Sequence, residues 1–163
     1  TVSSAVNSVA DLKPKFLTIH ASGGAAMIAA AVASAGSIEI TGVTILTSLA
    51  EGDLSEIGFQ PDTKKRAIQL AKLATDNGAK AIVCSPLEIE GIRAVIPKDI
   101  SIITPGIRPK NLSNSDDQKR IMDPSSAIAA GANYLVIGRP ITGLWSDGSE
   151  AMKKMAAEIR ESI

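Results

Sequence analysis

Residues 99–109, DISIITPGIRP, and residues 133–141, NYLVIGRPI, decide the fold. Each is a short apolar, β-branched run that ends at a glycine-containing turn and then an arginine. In the first the turn is Pro105–Gly106–Ile107–Arg108, and in the second it is Gly138–Arg139–Pro140. Runs of this length bounded by Gly and Pro read as buried strands. Between them lie a polar loop, residues 110–120 (KNLSNSDDQKR), and a short helix that starts at Asp123–Pro124 and stops at Gly131. Strand, loop, helix and strand make one β/α unit.

The same unit repeats towards the N-terminus. Residues 79–85 (AKAIVCS) read as a strand, as do residues 38–48 (IEITGVTILTS), where Gly42 weakens the pattern, and residues 16–20 (FLTIH), read as buried. Helices are expected from Val2 to near Leu12 before Pro14, over the alanine-rich residues 21–36 up to Gly36, and from Pro61 to Gly78. Residues 87–96 read as another, with Gly91 a local cost, and residues 147–163 as the last. Five strands separated by helices favour parallel pairing, because parallel neighbours need crossover connections. An α/β architecture follows, with residues 1–163 expected to form one domain. A doubly wound sheet and part of a (β/α) barrel both fit this pattern.

Composition narrows the function. Hydrophobic residues make up 45% and charged residues 21% of the 163, which excludes a disordered polar chain. Aromatics at 2% and a formal charge of +0 argue against a nucleic-acid partner, which needs stacking surfaces and a basic field. The single cysteine, Cys84, excludes an internal disulfide and a multi-cysteine zinc site, and fits a reducing compartment. No apolar stretch reaches the length of a membrane span, and the first ten residues lack a secretory pattern, so a cytoplasmic protein is expected.

In parallel α/β folds ligands bind at the C-terminal ends of the strands. Arg108 and Arg139 each follow one of the last two strands, so two guanidinium forks are expected on one rim, with Gly138 letting backbone N–H groups approach the same anion. A phosphate is the expected ligand. Gln118 lies in a loop long enough for a binding role, whereas its neighbours Lys119 and Arg120 read as helix-entry or surface charges. His20 reads as a rim hydrogen-bonding group rather than a catalyst, and Cys84 as a buried, inert thiol. Thr47 and Ser48 fit either a ligand contact or a turn cap. The Ser22–Gly23–Gly24 run fits an anion site and a helix start equally well. Asp53, Glu56, Glu88 and Glu90 read as surface residues that make no metal site, and Met122, Met152 and Met155 as helix packing.

The segments IHASGG (19–24), VTILTSL (43–49), IVCS (82–85), ITPGIRP (103–109), DDQKRIM (116–122) and YLVIGRPIT (134–142) occur in an order and spacing that resemble bacterial orotidine 5′-phosphate decarboxylase over essentially the whole chain. The resemblance implies a (β/α)8 TIM barrel family, here an incomplete barrel with about five parallel strands. It implies that Arg108, Gln118, Gly138 and Arg139 contact the substrate phosphate and that Thr47 helps hold the pyrimidine. Thr1 corresponds to the threonine closing the family's DxKxxDIPNT motif, which reaches the ribose of a substrate held mainly by the other subunit of a homodimer. The implied reaction is the cofactor-free loss of CO2 from orotidine 5′-phosphate to give uridine 5′-phosphate.

One departure matters. The DxKxxDIPN segment, whose lysine protonates the product carbanion, does not occur in the 163 residues, and Asp11 and Lys13 read as surface residues that do not replace it. These residues alone are therefore expected to be inactive, so no catalytic residue is assigned. Two rival readings are a catalytically inactive phosphate-ligand-binding or structural fragment, and a related 3-keto-6-phosphogulonate decarboxylase, which would use a metal.

Overall fold

The computed structural model describes residues 1–109 and 120–163. Five parallel strands form one sheet: β1 (Phe16–His20), β2 (Glu39–Val43), β3 (Ala81–Val83), β4 (Ser101–Thr104) and β5 (Tyr134–Leu135), in the order β1-β2-β3-β4-β5. Each strand pairs with the next one in the chain, so the order never reverses as it does in a doubly wound sheet. Right-handed crossovers taken in one direction put the connecting helices on the same face.

The helices are α1 (Val2–Ser8), α2 (Ala25–Ala33), α3 (Glu51–Glu56), α4 (Thr63–Asp76), α5 (Ile89–Arg93), α6 (Pro124–Ala129), α7 (Arg139–Thr142) and α8 (Ser149–Glu161). In sequence α1 continues as a 3-10 turn to Leu12, close to the expected end. The helix expected to open at Pro61 begins two residues later, because the Asp62 carboxylate accepts the Lys65 N–H (2.8 Å) and caps it. Asp123 caps α6 in the same way, accepting from Ser126 N–H at 3.1 Å. The α3 and α7 helices were not foreseen from the pattern. The expected strands shorten to their paired cores, most of all β5.

The sheet has two unlike faces. Ile40, Gly42, Ile82, Ile102 and Thr104 face the helices and are buried. Ile82 and Ile102 pack with Leu70, Ala71 and Ala74 of α4 and with Ile89 and Ile92 of α5. A second cluster, Val6, Ala31, Ala35, Ile38 and Ile40, joins α1 and α2 to the sheet. Small residues set the spacing. A Cβ on Gly42 would lie 2.7 Å from Ala74 Cβ, and one on Gly91 would lie 2.8 Å from Ile68 Cδ1, so these glycines let α4 approach β2 and α5. At Gly91 the near atom is the movable end of Ile68, so packing favours glycine there less strictly than at Gly42.

The other face is concave. Its side chains follow the register: Thr18, Thr41, Ala81 and Ser101 form one row, and His20, Val43, Val83, Ile103 and Tyr134 the next. Thr18, His20 and Tyr134 on the two edge strands are exposed, so β1 is half-open rather than the buried strand its sequence suggests. The sheet nevertheless curls enough for side chains at its two edges to meet across the concave face. Lys15 Nζ donates to the Tyr134 hydroxyl at 2.7 Å, and the Phe16 and Tyr134 rings meet edge to face at 5.2 Å. Tyr134 is in register with His20, yet it touches Phe16, four residues earlier, after four strand steps. Consecutive parallel pairing with such a curl is the arrangement of a (β/α) barrel. Five strands leave that barrel open between β5 and β1.

At the N-terminal ends of β4 and β5, Arg93 ties three segments. It donates to the Gly131 carbonyl from Nε (3.0 Å) and Nη2 (2.9 Å), to the Ile100 carbonyl from Nη1 (2.7 Å), and to Asn133 Oδ1. Asn133 Oδ1 also accepts from the Ile102 N–H at 2.8 Å. This latch lies at the end of the sheet away from the rim considered next.

Candidate active site

The C-terminal ends of the strands carry the polar residues singled out by the sequence. Thr104 of β4 and Leu135 of β5 are register partners, and Val136 N–H continues the ladder to the Thr104 carbonyl at 2.9 Å. Arg108 lies four residues beyond Thr104, and Arg139 four residues beyond Leu135. Two neighbouring strands thus deliver their arginines to one rim.

Their settings differ. Arg108 is buried, 7% exposed, and its Nη1 donates to the Ile107 carbonyl at 2.8 Å. Its backbone is fixed by Arg108 N–H to the Met122 carbonyl (3.0 Å) and Met122 N–H to the Gly106 carbonyl (3.3 Å), a parallel bridge between Ile107 and Met122. Gly106 has φ +79, which lets the chain turn out of β4 into this bridge. Arg139 is exposed at the first position of α7, where Pro140 follows as the fixed-φ residue of a first turn. Gly138 precedes it with φ −104, so no left-handed backbone demands glycine there, and a Cβ at that position would meet nothing within 4 Å. The space beside Gly138 is open.

Thr47, 8% exposed, lies in the turn after β2. Its neighbour Thr44 is pinned to β3, its N–H and its hydroxyl each donating to the Val83 carbonyl at 3.0 Å. Thr1 precedes α1 and is exposed, with no side-chain cap bond. Gln118 and Lys119 lie outside the described residues. His20 stands at the end of β1 on the concave face. Asp53 caps α3, its Oδ2 accepting from Ala50 N–H at 2.6 Å, in keeping with a structural role.

Two readings need correction. Glu88 and Arg120, expected on the surface, are buried and largely covered respectively, with side chains 1% and 11% exposed, and they form an ion pair. The Glu88 Oε2 accepts from Ser85 N–H (3.1 Å) and Oε1 from Arg120 Nη1. Arg120 Nη2 donates to the Leu46 carbonyl at 2.8 Å. Burial raises the Glu88 pKa above the ordinary carboxylate value, with Arg120 opposing that shift. The Ser85-x-x-Glu88 spacing is a capping box, and that signal was available in the sequence. Cys84 beside it is buried and free, its thiol pushed up to about 12 by burial first and by the Glu88 charge second. The inert reading of this thiol fits that environment. Among the described residues no three His, Cys, Asp or Glu side chains gather as a metal site, and no helix is long and apolar enough to cross a membrane.

A family model described as orotidine 5′-phosphate decarboxylase / HUMPS family matches residues 1–155. The chain belongs to that family. An orotidine 5′-phosphate decarboxylase of Thermobifida fusca (strain YX) is 46% identical over 162 residues, covering 99% of this chain and 69% of that protein. One from Opitutus terrae is 44% identical over 145 residues, covering 86% of this chain and 63% of that protein. The crystal structure of orotidine 5′-phosphate decarboxylase from Lactobacillus acidophilus superposes with a TM-score of 0.77 at 31% identity, over 97% of this chain and 69% of that one. The chain therefore spans about two thirds of the length of these relatives. They support a role in decarboxylation, the chemistry of a carboxy-lyase family, on an α/β barrel fold that is incomplete here.

Proposed function

We propose that this chain supplies the phosphate end of an active site that decarboxylates orotidine 5′-phosphate to uridine 5′-phosphate in pyrimidine biosynthesis. Arg108, Gln118, Gly138 and Arg139 hold the phosphate, Thr47 holds the pyrimidine side, and Thr1 reaches the ribose of a substrate bound mainly by the partner in a homodimer. The observation that supports this most is the matched position of the two arginines, each four residues past the register pair Thr104–Leu135. Arg108 is buried at the rim, and its planar guanidinium fork matches phosphate oxygens in a way a lysine ammonium does not. Binding energy gathered at the phosphate can orient the pyrimidine at a distance, which makes these residues important to a bond they do not touch. A cytoplasmic setting fits a buried free thiol. None of the relatives described above favours the 3-keto-6-phosphogulonate alternative.

Calorimetric titration of uridine 5′-phosphate and of uridine into the protein tests the reading. Arg108→Ala and Arg139→Ala should each weaken the nucleotide by about tenfold or more, the scale of one charged hydrogen bond, and leave uridine unaffected. Nucleotide binding as tight in both variants as in the unaltered protein would remove the phosphate assignment.

A further inference from the structure

The Glu88–Arg120 pair is not accounted for by phosphate binding or by packing alone. Two ions have been taken out of water at the rim, a costly arrangement that apolar residues of similar volume commonly match or improve in stability. Arg120 divides its guanidinium between two partners on different loops. Nη1 meets the Glu88 carboxylate after β3, and Nη2 holds the Leu46 carbonyl after β2, while Nε is buried with no hydrogen-bond partner among the described residues. Glu88 is itself fixed by the Ser85 N–H. The backbone of Met122, two residues on, is bridged to Ile107 and Arg108. One side chain therefore connects the Arg108 end of the rim to the peptide that joins Leu46 to Thr47.

We propose that Glu88 and Arg120 are positioning residues for the nucleobase side of the site: the carboxylate holds the guanidinium fork so that it fixes the Leu46 carbonyl and, through it, Thr47. The peptide group is planar, so holding that oxygen holds the Thr47 N–H and sets where the residue begins. Thr44 is anchored to Val83 on the strand side of the same turn, and the Leu46 carbonyl also accepts from the Leu49 N–H at 3.0 Å within it, so Arg120 is the support that reaches the Leu46–Thr47 peptide from outside the turn. Arginine suits this task because its planar fork reaches two acceptors in fixed directions, whereas a lysine ammonium does not. The inference rests on the reading of Thr47 as a nucleobase contact only for its effect on binding. Its structural half stands apart from that reading.

The test uses Arg120→Lys, Glu88→Gln, and the double variant Glu88→Gln/Arg120→Met, which removes both charges so that neither remains buried alone. Two measurements are made on each: the Thr47 amide signal in the 1H–15N NMR spectrum of the ligand-free protein, and the ratio of affinities for uridine 5′-phosphate and ribose 5-phosphate. The double variant leaves no buried charge without a partner, so it should remain folded. It should still show a displaced Thr47 amide and an affinity ratio lowered about tenfold, or about 1.4 kcal/mol. Arg120→Lys should behave like the double variant at Thr47, since charge alone does not restore the fork. A double variant that is folded and whose Thr47 amide is unmoved would overturn the proposal. An amide that moves without any change in the ratio would preserve the positioning of Thr47 and instead refute its nucleobase role.

Discussion

Substituting Gly42 by Ala puts one methyl group between β2 and α4, and the structure says how much room it lacks. The added Cβ would lie 2.7 Å from Ala74 Cβ and 3.4 Å from Ile82 Cδ1, where carbon atoms settle at about 3.5–4.0 Å. Ile82 can give a few tenths of an ångström by a small rotation, but Ala74 has no rotamer to change, so α4 itself must withdraw by about 1 Å. Overpacking of this kind costs roughly 1–3 kcal/mol, offset by about 0.5–1 kcal/mol because Gly is a poor strand residue. A net loss of about 1–2 kcal/mol is expected, which for a chain of this size lowers Tm by roughly 2–8 °C. Ala74→Gly alone should cost about 1 kcal/mol in helix propensity. The double variant Gly42→Ala/Ala74→Gly moves the methyl group from one side of the contact to the other, so its cost should fall about 1 kcal/mol or more short of the sum of the singles. Urea unfolding followed by far-ultraviolet circular dichroism gives all four free energies. Gly42→Ala within about 0.5 kcal/mol of the unaltered protein, or a strictly additive double variant, would refute the argument that the glycine exists to let α4 dock.

Two further expectations come from the buried groups near the rim. With its pKa at about 12, Cys84 should react with iodoacetamide at pH 8 at least about a thousandfold more slowly in the native protein than in urea, from thiolate fraction alone; comparable rates would contradict its burial. Glu88 binds its proton more tightly folded than unfolded, so its contribution to stability is largest in acid and is lost as pH rises from 4.5, the unfolded-state value, through the raised native value. Glu88→Gln removes that loss. Urea midpoints measured from pH 4 to pH 8 should show the unaltered protein's stability falling relative to the variant across this window, and a difference that stays constant with pH would count against the raised pKa.

Much of this molecule is legible in the chain because its information is local. Residues 16–20 form the strand they spell, Asp123 caps the helix it introduces, and the TPGIRP turn leaves β4 where proline and glycine demand. The strand order needs more than periodicity, since repeated β/α units suit both a doubly wound sheet and a barrel, and only the consecutive pairing separates them. Burial is the least legible property. Arg120 reads as a surface charge beside Lys119, and it is largely covered where it pairs with Glu88, 32 residues back along the chain. Glu88 was open to inference from its capping box, but the box gives the local bond and says nothing of what lies above it. Gly42 and Gly91 look like defects in a strand and a helix until the partner surface is known. For the site, the two arginines are matched by the register of β4 and β5, whereas Gln118 rests on sequence resemblance alone.

The meeting of Lys15 and Phe16 with Tyr134 has a kinetic consequence. Pairings within the sheet join residues 20 to 40 apart in the chain, as in Ala81 with Ser101 and Thr41 with Ala81, while Lys15 and Tyr134 are separated by 119. Closing that longer loop in an unfolded chain would cost about 1 kcal/mol more entropy than closing one of 30 residues, for the return of a single exposed hydrogen bond and a ring contact. The economical route adds neighbouring β/α units in turn, and the curl of the finished sheet brings these side chains together last. A contact made after the folding barrier has been crossed slows unfolding and leaves folding unchanged. The bond between the first and last strands thus acts as a clasp on an arc that has already formed.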